Sequence, residues 1–146
     1  MSERPLEGKN FFVTGGTRDI GASIVNHLLD QGARVGTCFH HPSQEKYLQG
    51  RSGVSYILAD LKSSEGREKI MNFMSDFTIR YMSRWDGLIL NASDDSKQLN
   101  VDANSALVRD LIQCQSITEY YHDAQETYLV LMQSDPGHFY DRLSKR

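Results

Sequence analysis

The chain is poor in the features that mark secreted and membrane proteins. It carries only two cysteines, Cys38 and Cys114, in 146 residues, and a single distant pair cannot form the disulfide framework of a small secreted domain. No apolar run approaches the roughly 18 residues of a membrane-spanning helix, so we expect no membrane partner. The amino-terminal segment MSERPLEGKN is polar and charged, which predicts no secretory signal. A cytoplasmic protein is therefore the expectation.

An excess of basic residues is also missing. The 16 lysines and arginines are outnumbered by 19 aspartates and glutamates, for a net charge of −3, whereas nucleic-acid binders usually present a basic surface. We therefore expect no nucleic-acid partner. The five histidines show neither an HExxH motif nor a paired Cys/His spacing, and these absences predict no metal site.

The composition and length that remain are those of one globular domain. Hydrophobic residues make up 39% of the chain and charged residues 24%, which are ordinary fractions for a folded protein. A chain of about 150 residues corresponds to one domain. We therefore expect residues 1–146 to form a single domain.

Short apolar runs alternate along the chain with segments of helical periodicity. The apolar runs predict strands at 11–13, 34–39, 54–59, 87–90 and 128–132. The helical periodicity predicts helices at 20–29, 44–49, 70–81 and 107–112. Strands that are apolar almost throughout, separated by helices, are typical of a parallel sheet covered on both faces. With right-handed crossovers, this order predicts an α/β fold, a Rossmann-type doubly wound parallel sheet of about five strands.

The longest helical segment shows two distinct faces. Three methionines lie on or near its apolar stripe, and we expect them in the core: Met71, Met74 and Met82. Its charged residues predict a solvated face: Glu65, Arg67, Glu68 and Lys69.

The first predicted strand runs directly into a glycine-rich turn, and a helix opens there. The turn reads Thr14-Gly15-Gly16-Thr17-Arg18-Asp19-Ile20-Gly21. Glycine lets the chain turn tightly and lets backbone approach a ligand. The helix that follows begins with free N–H groups and the positive end of its dipole, which suit a pyrophosphate. The order of strand, turn and helix favours a dinucleotide site; the alternative is an ordinary strand–helix connection.

These eight residues resemble the TGxxxGxG motif of the short-chain dehydrogenase/reductase family. Asp60-Leu61 after the third strand resembles the family's adenine-contacting Asp, and Leu90-Asn91-Ala92-Ser93 resembles its NNAG motif. Asn104 and Ser134 resemble the Asn and Ser of its catalytic tetrad. The resemblance implies these cofactor-binding residues: Thr14, Gly15, Thr17, Arg18, Ile20, Gly21, His40, Asp60, Leu61, Asn91 and Ala92.

The chain departs from the family pattern at its catalytic pair and in the turn. None of the seven tyrosines is followed four residues later by lysine, so the family's YxxxK pair is missing. Tyr140 is the nearby candidate proton donor, and Lys145 lies five residues beyond it. Asp19 stands at the middle glycine of TGxxxGxG, where a carboxylate would repel a pyrophosphate held close. The chain is therefore expected to be a truncated or atypical member.

Charges near the end of the second strand favour NADP(H) over NAD(H). That strand ends Cys38-Phe39-His40-His41, without the acid that would take a ribose 2′-hydroxyl. Arg18 offers a two-donor fork for a 2′-phosphate, and His40 could add a donor.

Two functions stay open. The first is an NADP(H)-dependent carbonyl or alcohol oxidoreductase acting on a small molecule, in which Ser134 orients the carbonyl, Asn104 supports a proton relay and Tyr140 donates the proton. The alternative is a non-redox descendant that serves as a nucleotide-binding or partner-binding module, or as a repurposed catalyst. For either function, the exposed edge of a shortened sheet favours self-association. The resemblance implies a homodimer through the helix at 107–112, where members of the family commonly dimerise, and a second polypeptide could complete the fold.

Overall fold

The computed structural model describes residues 4–92, 101–113 and 128–131. The strands of this part are β1 (Asn10–Thr14), β2 (Arg34–Phe39), β3 (Val54–Leu58), β4 (Gly87–Leu90) and β5 (Tyr128–Leu131). Its helices are α1 (Asp19–Asp30), α2 (Ser64–Tyr81), α3 (Val101–Gln113) and a 3₁₀ helix (Pro42–Tyr47). No helix within these ranges is long and apolar enough to cross a membrane.

The strands form one parallel sheet in the order β3-β2-β1-β4-β5. The chain moves outward from β1 to β3, then crosses back to β4 beside β1. Apolar residues of α1 pack on one face of the sheet, whereas those of α2 and α3 pack on the other. The doubly wound α/β sheet expected from the sequence is therefore confirmed, and its direction reverses between β1 and β4.

A cluster of aromatic rings holds α2 on the sheet. Trp85 is 1% exposed, and its ring stacks on Phe77 with centroids 4.2 Å apart and meets the edge of Phe12 at 5.7 Å. Its indole N–H donates to the Met74 carbonyl at 3.0 Å. Gly36 lies beneath, where an added Cβ would come within 2.7 Å of the Trp85 ring. This packing fixes α2, and with it the loop that precedes α2 at the carboxyl edge of the sheet.

The ends of several elements differ from the sequence-based expectation. α2 begins at Ser64 and α3 at Val101, each six residues before the first position of its predicted helix. The helix expected at 44–49 is a 3₁₀ helix that begins at Pro42, because proline favours the first helical position. Met82 was expected in the core but is 93% exposed. It ends α2 in the left-handed conformation (φ +48°), which turns it away from the stripe that buries Met74.

Candidate functional site

The loops after β1 to β4 meet at the carboxyl edge of the sheet, where the strand order reverses between β1 and β4. Ligands of open α/β sheets bind in the crevice at such a reversal. This edge therefore defines the candidate site, and the predicted cofactor residues lie along it.

Thr14 joins three elements at this edge with one buried hydroxyl. Its Oγ1 donates to Asn104 Oδ1 at 2.8 Å and accepts from the backbone N–H groups of Asn91 and Ala92, each at 2.9 Å. Asn104 Nδ2 donates in turn to the Ala92 carbonyl at 3.0 Å. Asn104 is fully buried. The end of β1, the loop after β4 and the first turns of α3 are thus held as one unit.

The glycine turn lies directly against this unit. Gly15 adopts φ +70°, and a Cβ there would lie 2.9 Å from the Ala92 Cα. A Cβ on Gly21 would collide with the Gly15 carbonyl and approach Asn91 Nδ2 to 2.5 Å. The Asn91 amide donates to that same carbonyl at 3.2 Å. Only glycine fits at both positions, because the turn packs directly against the loop after β4.

The middle of the turn is tied to β2 and to the 3₁₀ helix. The Gly16 N–H donates to Thr37 Oγ1 at 3.0 Å, and the Thr37 hydroxyl donates to the Val13 carbonyl at 2.6 Å. Thr17 Oγ1 donates to Gln44 Oε1 at 3.0 Å, between two buried side chains. Thr37 and Gln44 were not predicted as site residues from the sequence: Thr37 is a polar residue within an apolar run, and Gln44 lies in a polar stretch.

Arg18, Asp19 and Ile20 face solvent where α1 begins. Arg18 precedes the helix in extended conformation, and Ile20 is 61% exposed. Asp19 adopts φ +55°, a left-handed conformation that glycine reaches most easily and aspartate tolerates. The geometry gives a physical reason for glycine at this place in the TGxxxGxG pattern. It also places a carboxylate at the amino end of α1.

The end of β2 presents two exposed histidines, His40 and His41. Ser43 Oγ lies 2.8 Å from His41 Nδ1. The next acid along the chain, Glu45, accepts a hydrogen bond from the Tyr56 hydroxyl at 3.1 Å. Desolvation and the Glu45 carboxylate together raise the pKa of Tyr56 above its ordinary value.

The loop after β3 is held by hydrogen bonds from the Arg67 side chain. The exposed Asp60 carboxylate accepts from the Lys62 backbone N–H at 2.9 Å, and Leu61 is buried. Arg67 donates to the carbonyls of Leu61 and Lys62, both at 3.1 Å. The Arg67 side chain is only 15% exposed, so its placement on a solvated face was wrong: its guanidinium turns back toward the loop and α3.

The predicted catalytic set is only partly described. Asn104 lies at the site, in the fourth position of α3. Ser134 and Tyr140 lie outside the described residues, so the predicted meeting of the three side chains stays a prediction. Within 4–92, 101–113 and 128–131, no three histidines, cysteines or acids gather as a metal would require.

No family model matches the chain. A tropinone reductase homolog of Arabidopsis thaliana is 36% identical over 75 residues, which is 48% of this chain and 29% of that protein. L-fucose dehydrogenase of Bos taurus is 33% identical over 86 residues, which is 58% of this chain and 30% of that enzyme. The chain thus matches less than a third of the length of these relatives.

Solved structures share the fold over more of the chain. A 3-ketoacyl-(acyl-carrier-protein) reductase from Brucella melitensis, complexed with NADH, superposes with a TM-score of 0.69 at 17% identity. The superposition covers 86% of this chain and 57% of that one. Pseudomonas aeruginosa RhlG, in a complex with NADP, gives a TM-score of 0.53 at 25% identity and covers 80% and 48%. The glycine turn, the strand order and the matches to curated reductases and dehydrogenases make the chain similar to short-chain dehydrogenases/reductases.

Proposed function

We propose that the chain binds NADP(H) at the carboxyl edge of its sheet and serves an oxidoreductase that interconverts a carbonyl and an alcohol on a small molecule. The observation that carries the proposal is the glycine turn. Gly15 and Gly21 are packed so closely against Ala92 and Asn91 that no side chain fits. The turn is therefore a backbone cradle at a helix amino terminus, which is a favourable place for a pyrophosphate.

The residues around the cradle suit the adenosine half of an NADP molecule. Arg18 is exposed beside the turn, and His40 and His41 are exposed at the end of β2. An arginine fork suits a phosphate, whereas a carboxylate would be needed for a free 2′-hydroxyl. Asp60 presents an exposed carboxylate oxygen at the loop after β3, where it would accept from the adenine. These residues support NADP(H) over NAD(H).

The nicotinamide half would lie toward the loop after β4. Asn91 and Ala92 are held there by Thr14 and Asn104. When bound, the nicotinamide supplies or accepts the hydride of the reaction. In this proposal Ser134 orients the substrate carbonyl and Tyr140 supplies the proton, with Asn104 supporting its transfer.

Calorimetric titration of the full chain with NADPH and NADH tests the proposal. We expect NADPH to bind more tightly, and Arg18→Ala to weaken NADPH about tenfold while changing NADH little, because a charge-assisted hydrogen bond to a phosphate is worth roughly 1.5–3 kcal/mol. Arg80→Ala, an exposed arginine in the last turn of α2, is the matched control. Absence of binding by either nucleotide at millimolar concentration would refute the proposal.

A second candidate function is a non-redox descendant that keeps the nucleotide site or a partner site without the reaction. One observation favours it: the Asp19 carboxylate lies where α1 begins, at the proposed pyrophosphate cradle. NADPH binding without oxidation of the nucleotide by a panel of ketones and aldehydes would favour this candidate. Restored turnover on addition of a second polypeptide would favour a two-chain enzyme instead.

A further inference from the structure

We infer that Arg67 is a positioning residue that couples the adenine side of the site to the helix that carries Asn104. The inference rests on the proposed function, because it assigns the loop after β3 to the adenosine half of a nucleotide. It goes beyond that function by naming a mechanical link between two halves of the site and a residue with no contact to the ligand.

The link is a single guanidinium with partners on two elements. Arg67 lies in the first turn of α2, and its Nη1 donates to the Leu61 and Lys62 carbonyls at 3.1 Å. Its Nε donates to Asp110 Oδ2 on α3 at 2.7 Å. A planar guanidinium holds its donors in a fixed fork, so the three acceptors cannot move independently of one another.

The loop itself has little freedom apart from this link. Ser63 caps α2 by accepting from the Gly66 N–H at 2.9 Å. Its own N–H donates back to the Asp60 carbonyl at 3.2 Å. The Gly66 backbone is packed so closely against that carbonyl that a Cβ would collide with it. A ligand that orders the Asp60 carboxylate therefore also orders the start of α2, where Arg67 lies.

On the other side of the link, α3 connects Asp110 to the part of the site assigned to the nicotinamide. Asp110 lies six residues after Asn104, about 9 Å along the helix axis at 1.5 Å per residue. Asn104 is buried and bonded to Thr14 and to the Ala92 carbonyl. Because a packed helix moves as a rigid element, restraint at Asp110 is transmitted to Asn104 and to the loop after β4.

The test uses 2′,5′-ADP, which contains the adenosine half and its 2′-phosphate but no nicotinamide. Amide hydrogen exchange of the full chain is measured with and without this nucleotide at saturation, and affinity is measured by calorimetry. In the wild-type chain we expect the nucleotide to slow exchange of the α3 amides about fivefold, a size typical of coupling between sites.

Asp110→Ala removes the acceptor of the Arg67 Nε–H and leaves the two loop carbonyls bonded to Arg67. We expect this variant to bind 2′,5′-ADP within about twofold of the wild type and to lose the ligand-dependent slowing in α3. If the contact between Arg67 and Asp110 were only structural, the variant would change amide exchange in α3 equally with and without the nucleotide. The ligand-dependent slowing would then be the same as in the wild type. Asp76→Ala, which removes an exposed carboxylate on α2, is the matched control and should keep both the affinity and the ligand-dependent slowing.

Each result decides a different question. The coupling is overturned if the wild-type chain binds 2′,5′-ADP but shows no slowing of exchange in α3, or if Asp110→Ala shows the same slowing as the wild type. Either result leaves the nucleotide site in place. No calorimetric binding of 2′,5′-ADP to the wild-type chain overturns the nucleotide site, and the coupling with it. Loss of the ligand-dependent slowing in Asp110→Ala, with the slowing kept in Asp76→Ala, supports the link.

Discussion

Two residues, one at the start of α1 and one in β2, show how the local environment of a residue can override its type. Asp19 is a charged residue in a backbone conformation that suits glycine, and Cys38 is a thiol enclosed in the core. Burial raises the pKa of Cys38 to about 12, although a hydrogen bond from the Gly15 backbone to the thiol acts in the opposite direction. The conformation of Asp19 affects stability and cofactor binding, and the burial of Cys38 affects stability at alkaline pH.

Replacing Asp19 separates backbone strain from charge. Asp19→Gly is expected to leave the free energy of unfolding unchanged or raise it by up to about 1 kcal/mol, because the left-handed conformation no longer carries a Cβ. It is also expected to tighten NADPH binding severalfold, since the carboxylate leaves the pyrophosphate cradle. Urea denaturation and calorimetry measure the two effects.

Asp19→Ala is the matched variant, because it removes the charge and keeps the Cβ. It should tighten NADPH to the same extent as Asp19→Gly while being less stable. A drop in stability of more than about 1 kcal/mol in Asp19→Gly would contradict this account of the turn.

Cys38 makes stability depend on pH in the alkaline range. The thiol ionises near pH 9.0 in the unfolded chain and near pH 12 in the folded one, so its contribution is complete below pH 9 and falls as the pH rises toward 12. The slope approaches about 1.4 kcal/mol per pH unit. Urea denaturation of the wild type and of Cys38→Ala between pH 8 and about 11 should show the difference between them shrinking. A constant difference would contradict the burial of this thiol.

At the scale of elements, the site depends on two side-chain clamps between strands and helices. The Thr14 hydroxyl holds the loop after β4 against β1, and Arg67 holds the loop after β3 against α3. Both clamps join elements that are adjacent in space but distant in sequence. Loss of either should loosen the carboxyl edge while the sheet itself persists.

Thr14→Val tests the first clamp with little change in side-chain volume. The backbone N–H groups of Asn91 and Ala92 lose their acceptor, and a buried donor left without a partner costs about 1–3 kcal/mol. We expect the variant to lose about 2 kcal/mol or more of unfolding free energy and to bind NADPH poorly. Thr14→Ser keeps the hydroxyl and is expected to retain most of both, so equal losses in the two variants would contradict the clamp.

At the scale of the whole molecule, the dimer expected from the sequence needs a revised surface. Leu107, Val108 and Leu111 of α3 are buried in this chain's own core, so they are not free to form an interface. A dimer through α3 must instead use its outward face, which includes the exposed Asp102. Such a polar interface should weaken at high salt.

Light scattering at micromolar protein measures the oligomeric state and its dependence on salt. We expect a mass of twice the 16.6 kDa of the chain at low ionic strength, falling toward the monomer as salt is added. A monomeric mass at low salt would contradict the proposed dimer. A dimer unaffected by salt would place the interface elsewhere, such as the outer edge of β3.

The fold was predictable because its signals are local. Apolar runs and helical periods depend on residues only a few positions apart, and they located β1 to β4 within one residue at each end. The glycine turn was also predictable, because few residue types other than glycine fit a tight turn between a strand and a helix. The left-handed Met82 and the inward Arg67 were not predictable, because the side chain of each is placed by contacts or backbone geometry outside the periodic pattern.

By itself, the sequence determined the order of strands and helices, the glycine turn and the candidate cofactor residues. Tertiary structure alone decided which of these meet. Thr14 and Asn104 are bonded across 90 positions, and Arg67 and Asp110 across 43. Such pairs form because β4 inserts beside β1 and packs α3 next to α2. Contacts of that range are set by the packing of whole elements, which no local pattern of residues encodes.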